Sequence, residues 1–181
     1  MSDAAAAATF AARLAASLRS VPDFPKPGIT FKDITPSLGD AALFGEICEA
    51  LAAPFVDAGI THVAGIESRG FILGAPVARA LAAGFIPVRK PGKLPAPTLR
   101  RAYGLEYGTD CLEIHRDACT SAARVLVVDD VLATGGTAEA TCALVEALGA
   151  TVIGVALLLE IAALDGRRRL ARRRVHVVLQ L

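Results

Sequence analysis

Short continuous apolar runs alternate along this chain with longer stretches in which apolar residues recur at helical spacing. His62 to Ile66, Phe85 to Val88, Val125 to Val128, Val152 to Leu159 and Val175 to Leu179 read as buried strands, rich in aliphatic and β-branched residues. Cys111 to His115 alternates like a further strand. Helical spacing predicts a short amphipathic helix at the Ala-rich start (Ala4 to Ala8, then Phe10 and Leu14). A second spans Ala41 to Ala58 on Phe44, Ile47, Leu51 and Phe55, with Pro54 as a kink or break. Further helices follow Gly70 through about Leu81 and run from about Thr137 to Leu148. Strands that alternate with helices imply an α/β fold with a mostly parallel sheet. With no internal repeat and no linker, residues 1–181 read as a single domain.

Two segments break the pattern. From Val21 to Ile34, three prolines and a glycine within seven positions argue against regular structure, so an ordered or extended loop is expected. Arg89 to Thr109 holds three prolines and three glycines with no clear period. A loop of that length in a compact domain is usually functional or mobile.

Composition narrows the partners. The 19 basic and 18 acidic residues nearly cancel, leaving no global pull toward nucleic acid or an anionic membrane. The longest apolar run stops at Glu160, far short of a membrane span. The Ala-rich start lacks a basic n-region and is interrupted by Arg13, so it reads as a helix rather than a secretory signal. Cys48, Cys111, Cys119 and Cys142 show no metal spacing and read as reduced cysteines of a cytoplasmic protein. The arginines of 167–174 read as a solvated helix face before the last strand, with a polyphosphate or nucleic-acid patch as the other reading.

The most telling stretch runs from Val125 through Asp129-Asp130-Val-Leu-Ala133-Thr134-Gly135-Gly136-Thr137. A strand delivers two acids and a small-residue turn to a helix start, where α/β sheets collect ligands. Successive amides at Ala133 to Thr137 and the positive end of the helix dipole suit a phosphate. Carboxylates repel phosphate, but they accept hydrogen bonds from sugar hydroxyls and attract a hydrated divalent cation. A ligand with a phosphate, two ribose hydroxyls and a magnesium-chelating pyrophosphate satisfies all of these groups. No Gly-Lys-Ser/Thr is present, so the turn is not a Walker A loop.

This segment resembles the 5-phosphoribosyl pyrophosphate (PRPP) binding motif of the type I phosphoribosyltransferases. The motif alone leaves the base open, yet three further segments resemble the adenine-specific branch. Phe24 to Pro36 is similar to its base-binding hood. There the resemblance implies that Phe31 stacks on the purine, backbone at Thr30 and Lys32 reads its edge, and Ile161 covers the other face. Gly65-Ile-Glu67-Ser68-Arg69-Gly70 resembles the pyrophosphate loop, which implies that Ser68 and Arg69 grip the leaving group. In the long basic segment, Arg89, Lys90 and Lys93 match pyrophosphate contacts of a closing lid. Glu106 matches the acid/base group, and Tyr107 shapes the closed site.

The resemblance thus implies a mostly parallel twisted sheet flanked by helices, a small N-terminal hood at about 20–40 and a long mobile lid loop at about 89–109. It implies adenine and PRPP as substrates and AMP and pyrophosphate as products. It also implies a Mg²⁺ cofactor held mainly by PRPP and water rather than by direct protein ligands, and a homodimer. No nucleic-acid or membrane partner is expected. Oxopurine enzymes of this fold usually carry a base-reading lysine and aromatic residue within the region 152–160, which here is aliphatic and lysine-free. A non-catalytic regulator would need a nucleic-acid-binding module or a broad basic face; no residues are left over for the first, and only the arginines of 167–174 hint at the second.

Overall fold

The computed structural model describes residues 3–105 and 108–181, with side chains from residue 9 onward apart from 105–109. The chain divides into two compact units, Met1–Cys48 and Glu49–Leu181. In the first, α1 (Asp3–Ser17) leads to β1 (Arg19–Val21) and β2 (Phe31–Asp33), followed by the short α2 (Thr35–Gly39). Leu14 and Ile34 are fully buried, and Ser17 Oγ meets Ser37 Oγ at 2.7 Å. α3 (Ala41–Ala52) crosses the boundary between the units; Asp40 Oδ1 caps it by accepting from the amides of Ala42 and Leu43 at 3.0 Å each.

The expectation of an irregular segment over Val21 to Ile34 holds for residues 22–30 but needs correction at its ends. β1 and β2 pair antiparallel from Arg19↔Asp33 to Val21↔Phe31, and the Arg19–Asp33 ion pair (2.6 Å) closes the open end. Pro22, Pro25 and Pro27 all fall between the two strands, so the ladder loses no donor. The intervening turn is held internally by Phe24 N–H to Ile29 O (3.1 Å) and Gly28 N–H to Asp23 Oδ1 (2.7 Å).

In the second unit Pro54 follows the end of α3 and turns the chain into a 3-10 turn at Ala53–Phe55, as its position in the helical pattern anticipates. There follow β3 (His62–Ile66), α4 (Arg69–Ala80), β4 (Gly84–Val88), β5 (Thr98–Leu105), β6 (Gly108–His115), β7 (Arg124–Leu132), α5 (Gly136–Ala147), β8 (Thr151–Glu160) and β9 (Val175–Gln180). β4-β3-β7-β8-β9 form one five-stranded parallel sheet, the architecture expected from the sequence. Its centre is dry: Val125 to Val128 and Val155 to Leu159 have no exposure at all. α4 packs on β3 and β7, and α5 on β7 and β8. Among the described residues no helix is long and apolar enough to cross a membrane.

Two further expectations need correction. The segment 89–109 is irregular only as far as Pro97; from Thr98 it forms β5, which pairs antiparallel with β6 from Thr98↔His115 to Leu105↔Gly108. The strand escapes pattern reading because its partner for Arg100 is an acid, Glu113, directly opposite and 1% exposed, with Arg100 Nε at 2.5 Å from Oε1. The arginine run is mostly solvent-exposed, as expected of a solvated face, but it does not form an extended helix. It makes a 3-10 turn, Gly166–Leu170, after Asp165 adopts positive φ (49°). Several arginines there have fixed partners: Arg167 Nε lies 2.9 Å from both oxygens of buried Glu160, and Arg173 bonds Glu146. Arg174 donates to Pro54 O and stacks over Phe55.

Candidate active site

The parallel sheet brings its strand ends to one edge, and four of the predicted segments meet there. β7 runs buried through Val128 and carries Asp129 and Asp130 in its final residues. The chain then turns through Ala133 and Thr134 to Gly135, whose φ of +79° starts α5. Only a glycine fits: a Cβ at Gly135 would stand 2.4 Å from the Gly166 carbonyl oxygen. Among the described residues no side chain caps α5, so the first amides, at Gly136 and Thr137, stay available to an anion. Tyr103 of β5 packs against Gly136, where an added Cβ would lie 3.2 Å from its Cδ2. Its hydroxyl donates to Asp110 Oδ2 at 3.2 Å, and burial raises its phenol above the ordinary value.

β3 ends at Ile66, the cis peptide Glu67–Ser68 follows, and α4 starts at Arg69. The start of α4 presses on the end of β7: a Cβ on Gly70 would lie 2.9 Å from both Asp129 Oδ1 and Val128 O. Arg69 Nε reaches Asp130 Oδ2 at 2.7 Å, and the Asp130 side chain is 8% exposed. Asp130 Oδ2 is thus ion-paired yet accepts no aligned hydrogen bond among the described residues. Burial, then the adjacent Asp130 charge, pushes the Asp129 carboxyl well above its ordinary value.

Glu67 is the residue that sequence reasoning left without a role. Arg89 Nε (3.0 Å) and the Lys90 amide (3.2 Å) donate to its Oε2, and the Lys93 ammonium donates to Oε1. Its signal was positional: Ile66 of β3 pairs with Val88 of β4, so Glu67 and Arg89 are the next residues along two adjacent strands. Lys90 Nζ also reaches Asp110 Oδ2 at 3.2 Å. Ile161, just past β8, donates its amide to Leu132 O at 2.9 Å and so sits beside the end of β7.

In the first unit, Phe31 is half-buried in β2 with its ring edge-on to Phe24 (centroids 5.4 Å apart). Thr30 is exposed, and Lys32 Nζ donates to Ser20 Oγ at 2.9 Å. Glu106 and Tyr107, the expected acid/base group and its neighbour, lie outside the described residues. Chemically, the second unit offers a phosphate nest, two acids suited to diol hydroxyls, and the cations Arg69, Arg89, Lys90 and Lys93 for a polyphosphate.

Residues 37–178 match the phosphoribosyl transferase domain. An adenine phosphoribosyltransferase from Myxococcus xanthus is 57% identical over 94% of this chain and 93% of its own length. Among solved structures, the adenine phosphoribosyltransferase of Rhodothermus marinus superposes with a TM-score of 0.92 at 58% identity, covering 96% of this chain and 99% of its own. The Saccharomyces cerevisiae enzyme, complexed with an imino-altritol bisphosphate and adenine, reaches 0.89 at 38% identity, covering 95% and 99%. Sheet order and these relatives agree along nearly the whole length, and the chain belongs to the adenine phosphoribosyltransferases of the phosphoribosyltransferase family.

Proposed function

We propose that this chain transfers the 5-phosphoribosyl group of PRPP to N9 of adenine, forming AMP and pyrophosphate in purine salvage. The observation that carries the reading is the Arg69–Asp130 contact at 2.7 Å, which joins the pyrophosphate loop to the ribose-phosphate motif in one site. The 5-phosphate takes the amides of Ala133 to Thr137, with Thr134 and Thr137 as hydroxyl donors. Asp129 and Asp130 accept from the ribose hydroxyls. Ser68, Arg69, Arg89, Lys90 and Lys93 take the pyrophosphate, and stabilising its growing charge with such preset groups is typically worth about 3–4 kcal/mol of barrier each.

Thr30, Phe31, Lys32 and Ile161 take the base and Tyr107 shapes the closed site. Those roles, and the proton work of Glu106, rest on the resemblance of their segments. Together with the hood segment at 20–40, one phosphoribosyltransferase domain is the working unit. Mg²⁺ fits this site as an ion bound through substrate oxygens and water. Asp129 and Asp130 are hard oxygen donors, and Asp130 Oδ2 accepts no aligned hydrogen bond among the described residues. When bound, Mg²⁺ neutralises charge on the pyrophosphate. A homodimer in the cytoplasm completes the reading.

A competition assay offering adenine, hypoxanthine, guanine and orotate with PRPP tests it. AMP should form at a rate far above any other nucleotide; preference for another base refutes the adenine assignment, and no PRPP consumption refutes the whole.

A further inference from the structure

Three donors from one segment converge on a single side chain that the reaction scheme does not use. Glu67 is 9% exposed, and Arg89 Nε, the Lys90 amide and the Lys93 ammonium all point into its carboxylate. Burial by itself raises this carboxyl, but the bonds from Lys93, Lys90 and Arg89 outweigh it and hold it below its ordinary value. Glu67 is therefore charged at neutral pH. The two cationic side chains are far less enclosed, with Arg89 33% and Lys93 47% exposed, so each keeps a side open to an incoming anion. The segment is otherwise anchored by the paired backbone bonds between Arg89 and Glu113 (2.9 and 2.7 Å), which do not involve Glu67. Releasing Glu67 thus frees the cationic heads without undocking the segment.

We propose that Glu67 is an internal counter-anion, which holds Arg89 and Lys93 when the site lacks pyrophosphate and takes them back as pyrophosphate leaves. The inference rests on the reading of Arg89 and Lys93 as pyrophosphate contacts. A buried anion that already engages those cations subtracts from the affinity a ligand gains by recruiting them. What is lost in affinity is returned as faster release. A purely structural Glu67 has the opposite consequence, because removing it would loosen the cations and weaken pyrophosphate.

The test uses full-length Glu67→Gln, whose amide oxygen still accepts from Arg89 and Lys90 but carries no charge. Calorimetry with pyrophosphate is combined with KM for PRPP and kcat, alongside Lys93→Met and the double variant. Exchanging a charged for a neutral acceptor is expected to tighten pyrophosphate by about tenfold. KM for PRPP should fall, and kcat should fall with it where release limits turnover. In the Lys93→Met background the same substitution should give a clearly smaller gain, because one of the competed cations is gone. Weaker or unchanged pyrophosphate binding in Glu67→Gln, with Lys93→Met still impaired, overturns the counter-anion role and leaves the site reading standing. Unchanged pyrophosphate binding in Lys93→Met overturns both. If Glu67→Gln fails to fold, Glu67→Asp carries the same test: its shorter reach should also tighten pyrophosphate, and an unchanged or weaker constant overturns the proposal.

Discussion

Replacing Gly135 with alanine puts the geometry of the phosphate nest to a direct test. At φ +79° an L-residue costs about 1–2 kcal/mol, before any contact is counted. The added Cβ would stand 2.4 Å from the Gly166 carbonyl oxygen and 3.3 Å from Arg169 Cβ, against ordinary contact at 3.4–4 Å. Gly166 is itself pressed against the same turn, since a Cβ there would meet Ala133 O at 2.2 Å. The two turns interlock backbone to backbone, and moving the second drags on Leu170, 1% exposed in the core. Overpacking of this kind adds about 1–3 kcal/mol, for a total of about 2–5 kcal/mol. At this chain length that corresponds to a loss of about 4–20 °C in Tm. Thermal unfolding by circular dichroism measures it, and calorimetry should show PRPP binding at least about tenfold weaker, because the amides proposed to take the phosphate must shift. Gly45→Ala is the control. A Cβ there meets nothing within 4 Å, and the helical position should gain about 0.5–1 kcal/mol. A Gly135→Ala variant that melts within a degree or two of the parent and binds PRPP normally would refute the interlocked-turn argument.

Asp129→Asn should raise Tm at pH 7 while weakening PRPP. The folded carboxyl titrates above its unfolded value, so the folded state holds the proton more tightly. Its cost is therefore present above the folded pKa and relieved as pH falls through it, and a melting series against pH should show the variant flatter on that side. Phe31→Ala should raise KM for adenine with little change for PRPP, whereas Asp130→Ala should lose PRPP binding; parent constants for both substrates in both variants would dismiss the assignment. Glu106→Gln should lower kcat by about 10²- to 10⁴-fold with KM values little changed, and near-parent turnover in steady-state assays removes the acid/base role.

The parts of the fold that could be read from the chain were those whose physics is local. Strands buried on both faces appear as unbroken apolar runs, which is why His62–Ile66 was legible residue for residue and β8 nearly so. The Asp129-to-Thr137 motif was legible because strand end, turn and helix start are contiguous. Within the β5–β6 hairpin, β6 was legible over Cys111–His115, but β5 was not, since its exposed Arg100 and Arg101 look like loop surface until Glu113, buried directly opposite Arg100, is known to pair with it. Arg167 and Glu160 hid in the same way, as did the β1–β2 ribbon, whose two halves flank a run of prolines. Glu67 was visible as an acid in a motif, but its meaning depends on β4 lying beside β3.

These hidden pairs share a logic that explains why so charged a site belongs to a chain of net charge +1. Each cation assigned to pyrophosphate already faces an acid: Arg69 faces Asp130, Arg89 and Lys93 face Glu67, and Lys90 faces Asp110. Binding a polyanion here is an exchange of partners rather than the filling of a bare positive cleft. Exposed charges interact with a strength set by the product of the two net charges, and salt screens that product. A locally balanced site therefore draws its ligand by directed hydrogen bonds more than by long-range field. The consequence is measurable: PRPP affinity, followed by calorimetry at fixed Mg²⁺ between 50 and 500 mM salt, should fall only a few-fold, roughly within the span of one contact's worth. A fall of a hundredfold or more over that range would mean that the acids do not neutralise their cations in solution, and the partner-exchange account would fail with them.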